Sequence, residues 1–213
     1  MIFEKNIDYY SKIRTELIDM LPSVKGKFLE IGCGVGSTLD YLKSKGASYV
    51  AGVDINKKAV DAASQKFLDF VLVADVEKDI LPFKDQEFDV IIFADIIEHL
   101  FNPWDTLKNM QRYLKDDGLI LLSIPNIKNY YTLIRLIFYD EWSYSEAGIL
   151  DNTHIRFFTL KEIAKLLDYA DLKIVDVKCR TKKRKAFDII NALLCKKIES
   201  FSVVKYCIVA SKK

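Results

Sequence analysis

Runs of apolar residues alternate with amphipathic segments along most of the chain. Seven short runs rich in Val, Ile, Leu and Phe are typical of buried strands. These predicted strands are residues 27–31, 49–54, 70–75, 88–95, 118–124, 172–178 and 202–210. Between them, apolar positions recur at the spacing of a helix. The predicted helices are residues 3–20, a segment ended by Gly46, and residues 56–67, 104–114, 160–169 and 186–198.

The regular order of strand, helix and strand predicts an α/β fold, a doubly wound and mainly parallel sheet with helices on both faces. This order breaks at residues 127–158, which hold eight aromatic residues and show no clear strand. We interpret this stretch as a small inserted aromatic-rich cap. Its helically spaced apolar residues are most simply core that seals the cap onto the sheet. The alternative is a lid whose aromatic rings line an acceptor pocket, and we favour a mixture of the two. The helically spaced residues are Tyr131, Ile134, Leu136 and Phe138.

Composition limits the classes of protein to consider. The chain has 213 residues, half of them hydrophobic, which predicts one core and a single domain over residues 1–213. The formal charge of +2 gives no reason to expect a nucleic acid partner. We expect a cytoplasmic protein without stable membrane insertion, because the cysteines are scattered and no signal peptide or membrane span is evident. We also expect a monomer or homodimer. The cysteines are Cys33, Cys179, Cys195 and Cys207.

The first predicted strand runs into a glycine-rich turn that we interpret as a cofactor site. Gly32, Gly34 and Gly36 occupy alternate positions, where a missing Cβ lets the backbone turn sharply against a ligand. A dinucleotide site has its third glycine one residue later. Glu30 lies two residues before the first glycine, where a carboxylate would repel a pyrophosphate and suit an ammonium or sulfonium group. Both observations favour S-adenosylmethionine over a nicotinamide cofactor.

Acidic residues follow the next two predicted strands. Asp54 ends the second strand, where a carboxylate can accept hydrogen bonds from both hydroxyls of a ribose. Asp75 ends the third strand and can accept a hydrogen bond from an exocyclic amine such as that of adenine. The apolar neighbours Ile55 and Val76 can enclose the adenine ring between them. Because the carboxyl ends of parallel strands share one edge, these residues and the glycine turn are expected to form one crevice.

The ordered motifs resemble those of class I S-adenosylmethionine-dependent methyltransferases over about residues 26–126. The motifs are Glu30-x-Gly32-x-Gly34-x-Gly36, Asp54, Ala74-Asp75, Phe88-Asp89-Val90-Ile91 and Ile124-Pro125-Asn126. A downstream segment resembles the small-molecule branch often called the type 11, 12 or 23 methyltransferase domains. This segment is Leu150-Asp151-x-Thr153-His154-x-Arg156-Phe157-Phe158-Thr159. Many members of that branch act on cell-surface sugars, quinones or other metabolites.

The resemblance implies a Rossmann-like, seven-stranded sheet whose last strand is antiparallel. It places the three glycines at the methionine moiety of the cofactor, Asp54 on the ribose and Asp75 on the adenine. We also assign Cys33 and Asp95 to the cofactor site. The full set of expected cofactor-binding residues is Glu30, Gly32, Cys33, Gly34, Gly36, Asp54, Ile55, Asp75, Val76 and Asp95.

The two histidines of the chain, His99 and His154, are the candidate catalytic residues. A neutral imidazole near pH 7 can take the proton of an acceptor hydroxyl during methyl transfer. Asp95, Glu98 and His99 share one face if their segment is helical, and such a face could hold a divalent metal. We prefer the interpretation in which Asp95 caps the helix and no metal binds, because two carboxylates and one imidazole make an incomplete shell.

Polar and aromatic residues of the cap are the candidate contacts to the acceptor. They are Tyr130, Trp142, Tyr144 and Arg156. A basic run at residues 180–185 precedes an apolar helix and could contact anionic lipid or a phosphorylated substrate. We prefer a solvated connection between the last two strands for this run.

The predicted activity is S-adenosylmethionine-dependent methyl transfer to a small or medium-sized metabolite, most plausibly at oxygen, with a sugar, a quinone or a similar molecule as acceptor. The product of the cofactor would be S-adenosylhomocysteine. One alternative is a cofactor-binding partner or regulator that lacks an acceptor site. A second alternative is a nicotinamide-dependent oxidoreductase, which the glycine spacing and Glu30 disfavour.

Overall fold

The computed structural model describes residues 11–181, 191 and 198–213. The strands are β1 Lys27–Ile31, β2 Tyr49–Asp54, β3 Phe70–Val73, β4 Phe88–Ala94, β5 Leu114–Pro125, β6 Leu172–Thr181 and β7 Val203–Lys212. The α-helices are α1 Thr15–Ile18, α2 Ser37–Ser44, α3 Lys57–Ala63, α4 Pro103–Met110, α5 Tyr130–Tyr139 and α6 Leu160–Tyr169. Short 3₁₀ turns cover Ile97–His99, Gln111–Tyr113 and Glu199–Phe201.

The seven strands form one sheet in the order β3-β2-β1-β4-β5-β7-β6. Pairs from β3 to β5 are parallel, whereas β7 is antiparallel to both β5 and β6. This topology confirms the predicted α/β fold and the antiparallel last strand. Strand order reverses between β1 and β4, so a crevice opens at the carboxyl ends of these two strands. The glycine turn lies at the edge of this crevice.

Two apolar layers cover the two faces of the sheet. On one face α1 packs against β5 and β7, and α2 packs against β2. Leu17, Leu39 and Leu42 are buried in this layer. On the other face α4 and α6 supply a larger cluster that surrounds Phe88 and Phe93 of β4. Because the central strands are buried on both faces, their sequences are nearly continuous apolar runs, which is why the pattern identified them.

Two strands, β3 and β4, end slightly earlier than the sequence predicted. β3 ends at Val73 and β4 at Ala94, so Asp75 and Asp95 lie in the loops that follow. Asp95 has a positive φ of 57°, a conformation that is uncommon for a non-glycine residue. The chain therefore turns sharply at Asp95 and enters the 3₁₀ turn that holds Glu98 and His99.

The leading helix was predicted too long. Within the described residues 11–20, only Thr15–Ile18 is α-helical, and residues 12–14 are not. The N–H of Arg14 donates to Thr38 Oγ1 at 3.3 Å, and its guanidinium bonds to Asp95. These tertiary contacts replace the helical hydrogen bonds that the apolar spacing suggested.

Besides residues 3–10 of the predicted leading helix, three sequence predictions fall partly or wholly outside the described residues. They are the helix at residues 186–198, the thiol of Cys195 and most of the basic run at residues 180–185. Arg180 and Thr181, which begin that run, belong to β6. Across the ranges that the structure describes, no helix has the length and apolar character needed to cross a bilayer.

The cap consists of α5 followed by a segment that folds back toward the sheet. The core interpretation of its helically spaced residues is wrong, because Tyr131, Ile134, Leu136 and Phe138 are all exposed, Phe138 at 76%. Thr132 is the buried residue of α5. The spacing of the apolar residues correctly predicted helix α5. A helix can nevertheless have an apolar face that does not pack against the sheet.

Candidate functional site

The glycine turn lies directly against the end of β2. The N–H groups of Gly32 and Cys33 both donate to the carbonyl of Val53, at 2.7 and 3.2 Å. Gly32, Gly34 and Gly36 all adopt positive φ angles, of 70°, 53° and 72°. An L-residue rarely adopts this conformation, so alternate glycines are what allow three sharp bends in five residues.

Packing around the turn leaves no room for added side-chain atoms. A Cβ on Gly32 would overlap the side chain of Ile96, which comes from the loop after β4. A Cβ on Gly52, in β2, would lie 2.6 Å from the sulfur of Cys33. Gly52 was not predicted as a site residue, although it makes space for the turn. The buried Cys33 thus fills the underside of the turn.

The thiol of Cys33 is buried beneath the glycine turn and fills space there. Burial, together with the nearby carboxyl groups of Glu30 and Asp54, raises the pKa of Cys33 far above its ordinary value. The thiol therefore stays protonated at physiological pH, and its sulfur lies 3.7 Å from the carbonyl oxygen of Gly34. The main chain of Cys33 shapes the turn, and its side chain is neither a nucleophile nor an anion.

Asp54 joins the glycine turn to the end of β2. Its Oδ2 accepts the N–H of Gly34 at 2.8 Å, and its Oδ1 accepts the N–H of Asn56 at 2.8 Å. Burial raises the pKa of Asp54, although hydrogen bonds from the backbone N–H groups of Asn56 and Gly34 oppose the rise. Its backbone carbonyl also accepts the N–H of Ala74, so the ends of β2 and β3 are held together.

Glu30 is a buried carboxyl group whose hydrogen bonding is incomplete. Its side chain is almost fully buried, and Oε2 has no hydrogen-bond partner among the described residues. Burial raises its pKa to about 8, while Arg14 and the hydroxyl of Thr38 act in the opposite direction. An orphaned buried oxygen beside a glycine turn is suited to a cationic ligand group, as the sequence suggested.

The predicted adenine contacts lie in the loops after β2 and β3. Ile55 is 69% exposed at the end of β2, which leaves an apolar surface for a ring. Val76 packs partly against the core. Asp75 accepts a hydrogen bond from Lys78 Nζ at 2.6 Å, and this contact is the main reason that its pKa is lowered. The contact of Asp75 with adenine stays a prediction.

Asp95 is the centre of a partly buried ion-pair network. Its Oδ2 accepts bonds from Arg14 at 2.7 Å and from Lys205 at 2.5 Å, and its Oδ1 accepts the hydroxyl of Ser123 at 2.6 Å. Burial acts to raise the pKa of Asp95, but Lys205 and Arg14 outweigh burial and hold the pKa below its ordinary value. The predicted helix cap is wrong, because no side chain caps the 3₁₀ turn that follows.

His99 and His154 meet at the carboxyl edge of the sheet, 55 positions apart in sequence. Their ring centroids lie 4.7 Å apart in an edge-to-face arrangement, and Glu98 Oε1 lies 3.8 Å from His154 Nε2. The prediction that Asp95, Glu98 and His99 share one face is therefore wrong for Asp95. Asp95 turns toward Arg14 and Lys205, and His154 takes its place beside Glu98 and His99.

Backbone carbonyls fix the orientation of both imidazole rings. His99 Nδ1 lies 3.1 Å from the carbonyl oxygen of Thr153, and His154 Nδ1 lies 2.9 Å from that of Ile149. A carbonyl oxygen only accepts, so Nδ1 carries the proton of each neutral ring and Nε2 carries the lone pair. Burial, and then the neighbouring His154, lower the pKa of His99, which favours its neutral form.

The segment at residues 151–156 is held against the 3₁₀ turn by main-chain bonds. The carbonyl of Glu98 accepts the N–H groups of both Ile155 and Arg156 at 3.0 Å. Asp151 Oδ1 accepts the N–H and the hydroxyl of Thr153 at 2.9 and 2.7 Å. This local turn directs the carbonyl of Thr153 to His99. Asp151 and Thr153 of the downstream motif therefore help to orient the ring of His99.

The four predicted acceptor contacts each have a different local environment. Arg156 Nη2 donates to the carbonyl oxygen of Phe101 at 2.6 Å, so its guanidinium braces the cap segment against the loop before α4. Trp142 packs edge-to-face on Phe157 at 5.4 Å, and Tyr144 is more than half exposed. Tyr130 is the first residue of α5. Their contacts with an acceptor stay a prediction.

Several site residues were absent from the predicted set. Arg14, Ser123 and Lys205 reach Asp95 from sequence positions far from it, so no local spacing indicated them. Glu98 was noted only as a member of the possible metal face. Its full burial distinguishes it, and burial of a single acid cannot be deduced from an exposed-looking sequence context.

Comparison with known proteins identifies the family. The sequence profile of a family described as a methyltransferase domain matches residues 3–177. The ubiquinone biosynthesis O-methyltransferase of Neisseria meningitidis serogroup C (strain 053442) is 27% identical over 188 residues, covering 83% of this chain and 76% of its own length. The enzyme of the same name from Coxiella burnetii (strain RSA 331 / Henzerling II) is 26% identical, with coverage of 81% and 75%.

Solved structures share the fold of this chain. A SAM-dependent methyltransferase from Archaeoglobus fulgidus superposes with a TM-score of 0.69 at 23% identity, over 97% of this chain and 95% of its own. An S-adenosylmethionine-dependent methyltransferase from Mesorhizobium loti gives a TM-score of 0.66 at 17% identity, over 96% and 99%. At these identities the likeness concerns the fold, which agrees with the strand order found here.

Proposed function

The chain belongs to the methyltransferase domain family, and on this premise we propose that it transfers the methyl group of S-adenosylmethionine to a hydroxyl oxygen of a small or medium-sized metabolite. One observation carries the choice of acceptor atom. Two histidines with fixed ring orientations lie together beside Glu98, at the sheet edge where the glycine turn forms the cofactor crevice. The alternative of a nicotinamide-dependent oxidoreductase is not supported by the family match.

The residues at the glycine turn fit this cofactor. The orphaned oxygen of Glu30 suits the ammonium group of the methionine moiety, and the bent main chain at residues 32–36 leaves its surface to the ligand. We assign Asp54 to the ribose hydroxyls and the exposed Ile55 to the adenine, and their location at the end of β2 beside the glycine turn supports this assignment. When bound, the cofactor supplies an activated methyl group on a sulfonium centre.

The side chains of this protein must promote removal of the proton from the acceptor hydroxyl. A hydroxyl must lose its proton before or during attack, and a neutral imidazole near pH 7 promotes that loss. The lowered pKa of His99 keeps this ring neutral, and its Nδ1–H bond to Thr153 presents Nε2 for the reaction. We assign His99 and His154 to promoting deprotonation of the acceptor hydroxyl.

The acceptor is proposed to enter beneath the aromatic cap. Arg156 and the neighbouring Trp142–Phe157 pair belong to the segment that also carries His154, so an acceptor near the histidines would meet these groups. The relatives from Neisseria meningitidis and Coxiella burnetii are named as O-methyltransferases of ubiquinone biosynthesis, which supports oxygen as the methylated atom. Tyr130 and Tyr144 complete the proposed acceptor contacts.

The proposal also includes the cell compartment and partners. A cytoplasmic enzyme with a small-molecule substrate agrees with the free thiols of Cys33, Cys179 and Cys207. We propose a monomer or homodimer that needs no nucleic acid partner.

An acceptor panel tests the proposed function. The purified protein would be incubated with labelled S-adenosylmethionine and with phenolic, sugar and amine acceptors, and methylated products would be measured. We expect product with hydroxyl acceptors. His99→Gln and His154→Gln should each lower kcat by about 10²–10⁴-fold, the usual contribution of general base catalysis. Binding of S-adenosylhomocysteine should persist in both variants.

Two results would contradict the proposal. Absence of S-adenosylhomocysteine binding by the wild-type protein in a calorimetric titration would exclude the cofactor. Methylation of amine acceptors alone, at rates that neither histidine substitution changes, would exclude a hydroxyl oxygen as the methylated atom. Lys108→Gln is a matched surface control on α4, and its activity should equal that of the wild type.

A further inference from the structure

Glu98, His99 and His154 converge on one point, and we propose that they bind one divalent metal ion of the zinc class. One ligand atom from each residue lies within 4.8 Å of the ligand atoms of the other two. The inference rests on the proposed methyl transfer and changes the role of the two imidazoles in it. Both rings would bind the ion through Nε2, and the ion, in place of a free imidazole, would promote loss of the proton of the acceptor hydroxyl. The proposed site departs from the sequence expectation, in which Asp95 was a member of the group and no metal was bound.

The two imidazoles are oriented as metal ligands usually are. A ligating histidine typically donates its second ring N–H to a backbone carbonyl or a carboxylate, which fixes the lone pair of the other nitrogen toward the ion. His99 Nδ1 and His154 Nδ1 each meet a backbone carbonyl, of Thr153 and Ile149. Their Nε2 atoms are therefore the ligand atoms.

The carboxylate of Glu98 lacks the partners that a buried acid normally has. Its side chain is 1% exposed, and neither Oε1 nor Oε2 has a hydrogen-bond partner among the described residues. Leaving a buried polar group unsatisfied costs stability, and a carboxylate costs most. The cations Arg14 and Lys205 are bonded to Asp95. A metal ion in contact with Glu98 would satisfy its oxygens.

The donor set fits a catalytic transition-metal site. Two imidazoles and one carboxylate are the ligands of one class of catalytic zinc centre, in which a fourth position stays open for water or substrate. Magnesium prefers oxygen ligands and is a poorer match. Bonds of about 2.1 Å place the ligand atoms of a tetrahedral ion roughly 3.4 Å apart, so side-chain shifts of about 1 Å would complete the site.

The open position gives the ion a role in methyl transfer. A hydroxyl oxygen bound there would lose its proton to water more readily, since a bound zinc ion strongly lowers the pKa of its oxygen ligand. The oxygen would then form the new C–O bond as the S–C bond of the sulfonium breaks and a neutral thioether leaves. No further reactant is required.

The small number of histidines makes a specific test possible. The whole sequence contains two, and both are in the proposed site. Protein without an affinity tag, freed of metal by chelation and labelled with ¹⁵N-histidine, would be titrated with Zn²⁺ and observed by NMR. We expect both Nε2 resonances to shift together and to saturate at one ion per chain. Mg²⁺ should leave them unchanged.

Matched variants assign the binding to this cluster. Glu98→Gln keeps the shape of the side chain but removes the charge, and it should weaken Zn²⁺ binding at least tenfold. Asp116→Asn removes an exposed acid that pairs with Lys212 and should bind as the wild type does. His154→Asn serves as a second variant, in which the His99 resonance should respond more weakly. Thermal unfolding of each variant checks that it is folded.

Three results would overturn the proposal. They are a response from only one ring, a titration that does not saturate at one ion per chain, and equal Zn²⁺ affinity in Glu98→Gln and the wild type. Binding of S-adenosylhomocysteine, measured on the same samples, separates the two proposals. Its persistence without Zn²⁺ binding would refute the metal site alone, and its absence from the wild type would refute the methyl transfer.

Discussion

Arg14 and Asp95 form an ion pair between positions that lie 81 residues apart, with Nη1 of the guanidinium 2.7 Å from Oδ2 of the carboxylate. Lys205 bonds to the same oxygen and Ser123 to the other. All three charged side chains are less than one-fifth exposed, so solvent screens the pair weakly. The network ties the segment before α1, the end of β4 and β7 together at the crevice.

Arg14→Gln should lower the free energy of unfolding by about 2–3 kcal/mol, because a partly buried carboxylate loses a charged hydrogen-bond donor. Urea denaturation measures the change. A double-mutant cycle with Asp95→Asn should give a coupling energy above about 1 kcal/mol. Lys57→Gln is the control, since its ion pair with Asp61 on α3 is well exposed. Equal effects of Arg14→Gln and Lys57→Gln would contradict the network.

Gly32→Ala should abolish cofactor binding or folding, because the new Cβ would both require a left-handed backbone and overlap Ile96. Gly46→Ala separates the two causes. Gly46 also has a positive φ, but nothing lies within 4 Å of its Cβ position. We expect Gly46→Ala to cost about 1 kcal/mol of stability and to leave S-adenosylhomocysteine binding unchanged. Comparable loss in the two variants would mean that strain, and not packing, dominates at Gly32.

Asp54→Asn should weaken S-adenosylhomocysteine binding by roughly 10- to 100-fold in a calorimetric titration. The substitution removes the charged acceptor that holds the N–H of Gly34 and that is proposed to bind the ribose, and charged hydrogen bonds contribute about 1.5–3 kcal/mol. Asp61→Asn is the matched control on α3, where the acid pairs with the exposed Lys57. A twofold change or less in Asp54→Asn would exclude the proposed contact.

Glu30→Gln should change how stability depends on pH. The folded pKa of Glu30 is about 8, against 4.5 for the free side chain. The folded state thus retains a proton that the unfolded state has lost, so wild-type stability falls as pH rises from about 5 to about 8. Burial drives this shift, Arg14 and Thr38 oppose it, and Asp54 adds to it.

The Gln variant should lack this fall, and at pH 8–9 it should gain a few kcal/mol relative to the wild type. Urea denaturation across pH 5–9 gives the difference. The ammonium group of the bound cofactor should also favour the ionised form of Glu30, because opposite charges attract. Binding at pH 7 should therefore release about one proton from Glu30 per ligand. Calorimetry in two buffers of different ionisation enthalpy measures the release. Equal release by Glu30→Gln would contradict the assignment.

The sequence predicted the sheet and the cofactor turn well, for a local reason. Strands buried on both faces need continuous apolar runs, and a turn with three positive φ angles needs glycine. Asp54 follows from the same logic, because it ends a strand next to that turn. Its bond to the N–H of Gly34 is the structural counterpart of that spacing.

The acceptor side could not be predicted from local pattern. Apolar spacing correctly indicated a helix at residues 130–139 but could not tell whether the helix packs, and Phe138 is exposed. The expected face of Asp95, Glu98 and His99 required a regular helix. The positive φ of Asp95 and the 3₁₀ turn after it rotate Asp95 away from the other two.

By itself the sequence determined the features that neighbouring residues dictate. These are the positions of the strands along the chain, the glycine turn, and the acids at the strand ends. Only the tertiary structure decided which distant groups meet. It brought Arg14 and Lys205 to Asp95, and His154 to Glu98 and His99. The reason is physical, since burial and pairing of charge depend on the whole packed chain, whereas backbone conformation is largely set by each residue and its neighbours.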